Sequence, residues 1–291
     1  MSYIVFSVGR SRIKVSVATD LDTVDLIETI PTPPNADMAC KKIIQIGDEL
    51  RGKSELPVGV AGAVRGQLDE EKKSIMHDTF LHDWEGFPIV ETLEKHWKCP
   101  VYLENDSALT GLGEAVYGAG KDFSLVVYHT ISSGVGGVKV EYGWLDDASI
   151  GFEPGHQVID IDRTVLGLDI NPTLENLVSG VSVEERTGIK PQDIPQDDVI
   201  WDNLAEYLGQ GLRNTILYWS PEVVVLGGQM IVGNPKIPID LIRNYTVKAL
   251  DGFTKCPYIT TSTLGETGIL RGALHYLGQQ EVISQENTPQ T

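Results

Sequence analysis

Val101-Tyr102-Leu103-Glu104-Asn105-Asp106-Ser107-Ala108 is an alternating apolar run that ends in a carboxylate where a strand gives way to a helix. An acid delivered at such a junction can act as a general base, and the helix N-terminus helps to keep it ionised. Asp and Asn are also favoured helix N-caps for structural reasons alone, and the two roles are compatible. Upstream, Leu56-Pro57-Val58-Gly59-Val60-Ala61-Gly62 reads as a strand ending in small residues, where a backbone can approach a ligand closely. Residues 3–8 and 13–19 read as an opening hairpin around Gly9. A helix carrying Met38, Ile43, Ile44 and Ile46 is expected after Pro33-Pro34, and another from Pro88 to Trp97, with 66–84 polar and irregular between them.

Downstream, a helix from Ala108 to Tyr117 is stopped by Gly118-Ala119-Gly120, the expected domain boundary. Strands at 124–131 and 136–142, joined by Ser132-Ser133-Gly134-Val135-Gly136-Gly137, resemble a second copy of the opening hairpin and hint at a duplicated architecture. Leu204, Leu208, Leu212 and Ile216 share one face of a helix over 202–219, and the strand Val223-Val224-Val225-Leu226 follows, closed by Gly227-Gly228. The last helix is expected over 268–277, packing back on the N-terminal domain, and the polar tail from Gln279 to Thr291 is expected to be disordered. The pattern is α/β with two domains, 1–118 and 119–291.

A chain of 291 residues exceeds a comfortable single core, which agrees with two domains and a cleft. Its 23 basic and 41 acidic residues give a net charge of −18, which would repel a nucleic-acid backbone, and no basic cluster offsets it. Local backbone N–H groups can still hold phosphates, so nucleotides are not excluded. The three cysteines, Cys40, Cys99 and Cys256, match no paired spacing and read as reduced thiols. No apolar stretch approaches the ~18 residues of a membrane span, and the N-terminus lacks a basic leader. Cytoplasmic residence without a membrane partner is the expectation.

Three further motifs bear on chemistry. The Ser132–Gly137 run suits a phosphate cradle, or simply a glycine-rich hairpin turn. Glu153-Pro154-Gly155-His156 can converge on one ligand across its turn, or serve structure. Gly227-Gly228 admits a nucleoside against the backbone, or merely punctuates a strand. A base, a cradle and a clamp together suggest phosphoryl transfer. Ser7-Val8-Gly9-Arg10-Ser11 looks like a phosphate loop that has lost its acid. No cysteine lies near His156, whose nearest other histidine is His129, so a structural zinc site is not expected.

Trp84-Glu85-Gly86, Pro100 through Asp106, Gly113-Glu114, Gly118-Ala119-Gly120, Glu153-x-Gly155-His156 and Pro221 through Gly228 together resemble the ROK family of sugar kinases and regulators, within the actin-like ATPase superfamily. The resemblance runs from residue 3 to about 277 and implies two ribonuclease-H-like α/β domains around a central cleft, usually in a homodimer. It implies ATP- and Mg²⁺-dependent phosphorylation of a hexose or N-acetylhexosamine. Asp106 then matches the base, and Gly62, Asn105, Glu153, His156 and Glu175 match sugar-binding positions. Gly9, Arg10, Ser11 and Arg12 stand in the first phosphate loop, Ser133, Gly134 and Gly136 in the second, and Gly228 on the adenosine side.

Two departures accompany the resemblance. Family kinases carry Asp-x-Gly-Gly-Thr in the first loop, whereas Ser7, Gly9, Arg10 and Ser11 occupy those positions here, removing the carboxylate expected to hold hydrated Mg²⁺. Arg10 and Arg12 offer cationic phosphate contacts instead. Leu166, Leu168 and Thr173 stand at the family's zinc-cysteine positions, so the loop is expected to be held by leucine packing without a metal. An active sugar kinase and a catalytically weak sugar-binding or regulatory relative both follow from these features. Repression through an N-terminal DNA-binding module is not expected, since the chain begins at its first strand.

Overall fold

The computed structural model describes residues 1–24, 26–52, 56–146 and 151–286, with side chains to 284. The described residues of Met1–Tyr117 and Leu264–Thr291 form one compact unit, and those of Gly118–Asp147 and Gly151–Thr263 form another. The boundary after Tyr117 falls at the glycine cluster, and the C-terminal segment belongs with the first unit.

The first unit opens with β1 (Tyr3–Val8), β2 (Arg12–Ala18) and β3 (Leu26–Pro31), followed by α1 (Ala36–Arg51) and β4 (Gly59–Val64). A small arm, β5 (Gln67–Leu68) and β6 (Ile75–His77), leads to α2 (Ile89–Trp97), β7 (Val101–Asn105) and α3 (Asp106–Tyr117). The sheet order is β3-β2-β1-β4-β7, with an antiparallel meander on one side and β1, β4 and β7 parallel on the other. Every residue of β1 is buried, as a central strand covered on both faces requires. Its Ile4, Phe6 and Val8 join Ile43 of α1 and Leu93 and Trp97 of α2 in the first core. Asn35 starts α1 by accepting the Met38 N–H at 3.0 Å. Met38 itself is exposed, so the buried face of α1 runs through Ala39, Cys40, Ile43 and Ile46 instead.

The second unit repeats this plan. β8 (Leu125–Ile131), β9 (Val135–Glu141) and β10 (Trp144–Leu145) form the meander, and α4 (Leu174–Val178), α5 (Gly180–Thr187) and α6 (Ile200–Trp219) precede β11 (Val223–Gly227). After α7 (Gln229–Val232) and α8 (Ile239–Leu250), β12 (Tyr258–Thr261) completes a sheet ordered β10-β9-β8-β11-β12. Its pairings match the first sheet strand for strand: β8, β9 and β10 antiparallel, then β8, β11 and β12 parallel. The recurrence seen in the hairpins is therefore a repeat of whole sheet topology. Leu204, Leu208, Leu212 and Ile216 are all buried in the second core, which is the face their spacing predicts.

The chain ends in α9 (Gly268–Glu286), and the expected disorder from Gln279 does not hold through residue 286. Within the first unit α9 lies against α3 with backbones nearly touching. A Cβ on Gly272 would stand 1.7 Å from the Leu109 carbonyl oxygen, and one on Gly113 would stand 2.2 Å from that of Gly268. Only glycine permits that approach. Among the described residues no helix is long and apolar enough to cross a membrane.

Inside the second core, His129 of β8 is fully buried; its Nε2 lies 3.2 Å from Thr215 Oγ1 of α6, and among the described residues its Nδ1 has no hydrogen-bond partner. Burial lowers its pKa to about 4, so the ring is neutral in the folded protein.

Candidate active site

Two groups of predicted residues form, one on each unit. On the first unit, β1, β4 and β7 run parallel, and the register pairs Val8 with Val64 and Val64 with Asn105. The carboxyl ends of three adjacent strands therefore deliver the Gly9 turn, Arg65 and the Asn105-Asp106 pair to one sheet edge, where open α/β sheets bind ligands.

Asn105, and not Asp106, caps α3: its Oδ1 accepts the N–H groups of Ser107 at 2.9 Å and Ala108 at 3.3 Å. Its amide nitrogen donates to the Gly66 carbonyl at 3.2 Å, so most of its capacity is already used. Asp106 is thereby relieved of the structural role open to it in the sequence. Its carboxylate accepts from Ser107 Oγ at 3.3 Å. Desolvation, the largest cause, raises the Asp106 pKa above the ordinary carboxylate value, while the nearby Arg65 charge and Ser107 hydrogen bonds oppose it and the Asp78 charge adds to it. A carboxyl group so raised is a stronger base once ionised.

The Gly9 turn is closed on itself. Gly9 N–H donates to the Arg12 carbonyl at 2.9 Å, and Thr32 binds the Gly9 carbonyl through Oγ1 at 2.8 Å and the Ser11 carbonyl through N–H at 3.1 Å. Ser7 is buried, while Arg10 and Arg12 are exposed. Gly62 lies within β4, and a Cβ there would stand 2.2 Å from the Phe6 ring, so core packing accounts for that glycine and ligand approach is not needed to explain it.

The second group surrounds the turn between β8 and β9. Ser132 N–H donates to the Gly134 carbonyl at 2.8 Å, and Gly180 N–H donates to the Ser132 carbonyl at 2.7 Å. Glu175, near the start of α4, accepts the Val135 N–H at 2.7 Å, and a Cβ on Gly134 would stand 2.8 Å from its Oε2. The carboxylate assigned by resemblance to sugar thus backs the turn assigned to phosphate. Gly155 presses its backbone on Val135, where a Cβ would stand 2.3 Å from the carbonyl oxygen, and this seats the Glu153–His156 turn against β9. Glu153 and His156 are exposed. Gly228 has φ +87° and would place a Cβ 2.3 Å from the Ile131 carbonyl oxygen, so it joins the same strand end.

The expectation that leucine packing holds the loop from His156 to Glu175 is half corrected. Leu166 is buried, but Leu168 is 85% exposed. Asp160 does the work that Leu168 does not: its carboxylate accepts the N–H groups of Thr164 at 2.9 Å, Val165 at 3.0 Å and Leu166 at 2.7 Å, and the Thr164 hydroxyl at 3.0 Å. The bond from Leu166 leads the causes that lower its pKa. Ile159 N–H to Pro172 at 2.8 Å and Leu174 N–H to Gln157 at 2.9 Å close the loop's base. Asp160→Ala should speed amide hydrogen exchange at Thr164 to Leu166 by about tenfold or more and leave the first unit unchanged; unaltered exchange there would remove Asp160 as the organiser.

The family model for the ROK family matches residues 3–280. This chain belongs to the ROK family. It is 30% identical over 225 residues to a fructokinase of Lactococcus lactis subsp. cremoris, covering 74% of this chain and 76% of that one. Among solved structures, a ROK hexokinase from Thermus thermophilus superposes with a TM-score of 0.81 at 23% identity, covering 97% of this chain and 100% of its own. A ROK family glucokinase from Streptomyces griseus, in complex with glucose and AMPPNP, gives a TM-score of 0.77 at 21% identity, covering 96% and 100%. The fold is that of the actin-like ATPases, two ribonuclease-H-like units, as the paired sheet orders already require. Sequence reasoning missed Arg65, Asp78 and Phe80 on the first unit and Asp160 on the second. Arg65 carries the signal that marked Asp106, a polar residue just past a buried parallel strand, but the expected strand stopped at Gly62 and the true one ends at Val64.

Proposed function

We propose that this ROK protein transfers the terminal phosphoryl group of ATP to a hexose or N-acetylhexosamine, with Asp106 as the general base. The observation that carries the reading is the division of labour at the start of α3, where Asn105 takes the N-cap and leaves the Asp106 carboxylate, its pKa raised, at the parallel-strand edge. Asp106 accepts the proton of the sugar hydroxyl as that oxygen bonds to phosphorus, and the bond from phosphorus to the bridging oxygen breaks to release ADP. By the family resemblance, Gly62 and Asn105 on the first unit and Glu153, His156 and Glu175 on the second are the sugar-binding residues of this reading. By the same resemblance, Gly9, Ser11 and Arg12 are the nucleotide-binding residues of the first unit, and Ser133, Gly134, Gly136 and Gly228 those of the second.

Mg²⁺ is the metal the family implies, and these residues do not suit a carboxylate-held ion. Ser7 gives the first turn no acid, and among the described residues no three His, Cys, Asp or Glu side chains are grouped to hold a metal. No step is routed through it. That same turn favours a second reading, a sugar-binding relative with weak or absent transfer. ADP release with Mg-ATP across fructose, glucose, mannose and their N-acetylamino counterparts separates the two: turnover on one sugar supports the kinase, and calorimetric binding of a sugar without turnover supports the second reading.

A further inference from the structure

Phe80, in the segment after the β5–β6 arm, carries two cations. The guanidinium carbon of Arg10 lies 3.9 Å from its ring centroid, and that of Arg65 lies 4.8 Å away. Arg65 is bound through Nε to Asp78 Oδ2 at 2.6 Å. Asp78 is buried and also accepts the N–H groups of Phe80 at 2.8 Å and Leu81 at 2.7 Å, so this one carboxylate fixes both Arg65 and the backbone that presents the ring. Lys72 pairs with Glu104, tying the arm to β7 beside Asn105.

Two guanidinium groups thus share one ring, and one of them, Arg65, also holds the Asp78 carboxylate. Arg65, Asp78 and Phe80 suffice to hold the segment in place, and Arg10 adds a charge that the packing does not need. Among the described residues Arg10 has the Phe80 ring as its contact and no carboxylate partner. A guanidinium stacked on an aromatic face keeps its N–H edge for other acceptors, and that fork matches the oxygens of a phosphate. Both arginines follow the carboxyl ends of neighbouring parallel strands, Arg10 after β1 and Arg65 after β4, with Asp106 following the next strand, β7.

We propose that Arg10 and Arg65, mounted on Phe80, form a phosphate-oxyanion site at the carboxyl edge of the first sheet, in line with Asp106. The site takes a phosphate monoester or terminal phosphate, and it supplies by guanidinium the positive charge that the first turn does not gather through a carboxylate-held metal. It rests on the kinase reading for the identity of the base, but its occupancy can be measured without turnover. The phosphate has two possible sources, the end of the nucleotide or a phosphate borne by a sugar.

Calorimetric titration of the full chain with AMPPNP, ADP, glucose and glucose 6-phosphate tests the site in wild type, Arg10→Ala, Arg10→Lys and Phe80→Leu. If the nucleotide is the source, Arg10→Ala weakens AMPPNP by about tenfold or more while ADP changes little. If a sugar phosphate is the source, glucose 6-phosphate weakens by a similar factor while glucose does not. In either case Phe80→Leu loses less in the same direction, and Arg10→Lys restores part of the loss by keeping charge without the fork. Arg10 is an exposed turn residue, so its variants should melt with the wild type; should Arg10→Ala not fold, Arg10→Lys and Phe80→Leu carry the comparison. Failure of wild type to bind either phosphate probe, or folded Arg10 and Phe80 variants that bind all four as wild type does, would overturn the site. Phosphate binding that depends on Arg10 in a protein without turnover would sink the kinase reading and keep the site.

Discussion

Asp106→Asn should lower kcat/KM for phosphoryl transfer by about 10²–10⁴-fold and leave sugar affinity nearly unchanged. The amide keeps the shape of the carboxylate and cannot take a proton. Because Asn105 supplies the cap of α3, the substitution leaves the helix start intact, and a loss of turnover would report chemistry and not unfolding. The pH profile gives a second handle. Desolvation raises the Asp106 pKa, so the acid limb of kcat/KM in the wild type should lie above the ordinary carboxylate range, activity rising as the base ionises. Arg65 holds that pKa down by its charge, so Arg65→Gln should move the limb to still higher pH. A profile that stays put in Arg65→Gln, or an Asp106→Asn enzyme that turns over at the wild-type rate, would remove Asp106 as the base.

The folded architecture was legible where hydrophobic period and punctuation agree. The opening hairpin, the strand ending at Asn105 and the α6 stripe all combine a clear apolar pattern with glycine or proline stops. Legibility failed where a residue's role depends on partners distant in sequence. Asn105 and Asp106 are equally good caps by composition, and it is the bond from the Asn105 amide to the Gly66 carbonyl, 39 residues back in the chain, that helps to hold Asn105 in that role. Met38 fits the helical period of α1 yet faces solvent, because the actual buried stripe uses Ala39 and Cys40 next to it. Phe80 and Asp78 lie in a stretch without periodicity, and their significance appears only when Arg10 and Arg65 arrive from two strand ends. Asp160 organises residues four to six positions downstream through backbone N–H groups, a pattern that leaves no trace in hydropathy. The leucine expectation failed at Leu168 for the same reason: apolar character shows that a side chain can be buried, not that the loop will bury it.

His129 should make this protein lose stability in mild acid. Its folded pKa of about 4 lies below the ordinary 6.5, so between these values the unfolded chain binds a proton that the folded protein refuses. Stability from this group is complete above pH 6.5, falls as pH drops through the window, and levels below pH 4, a change of about 3 kcal/mol. The carboxylates with lowered pKa values, Asp48, Asp69 and Asp160, act on the other side of that window, since their contribution is kept above their ordinary 3.8 and lost below it. Replacing both partners, His129→Leu with Thr215→Val, removes the titrating ring together with the hydroxyl it faces, so no buried polar atom is stranded. Urea unfolding of the two proteins at intervals from pH 7 to pH 4 should give curves that diverge through the window, the wild type falling and the double variant nearly flat until the carboxylates protonate. Parallel curves would mean that water or a rearranged partner reaches Nδ1 and lets the ring charge in place. A ring held neutral against Thr215 of α6 would then be ruled out.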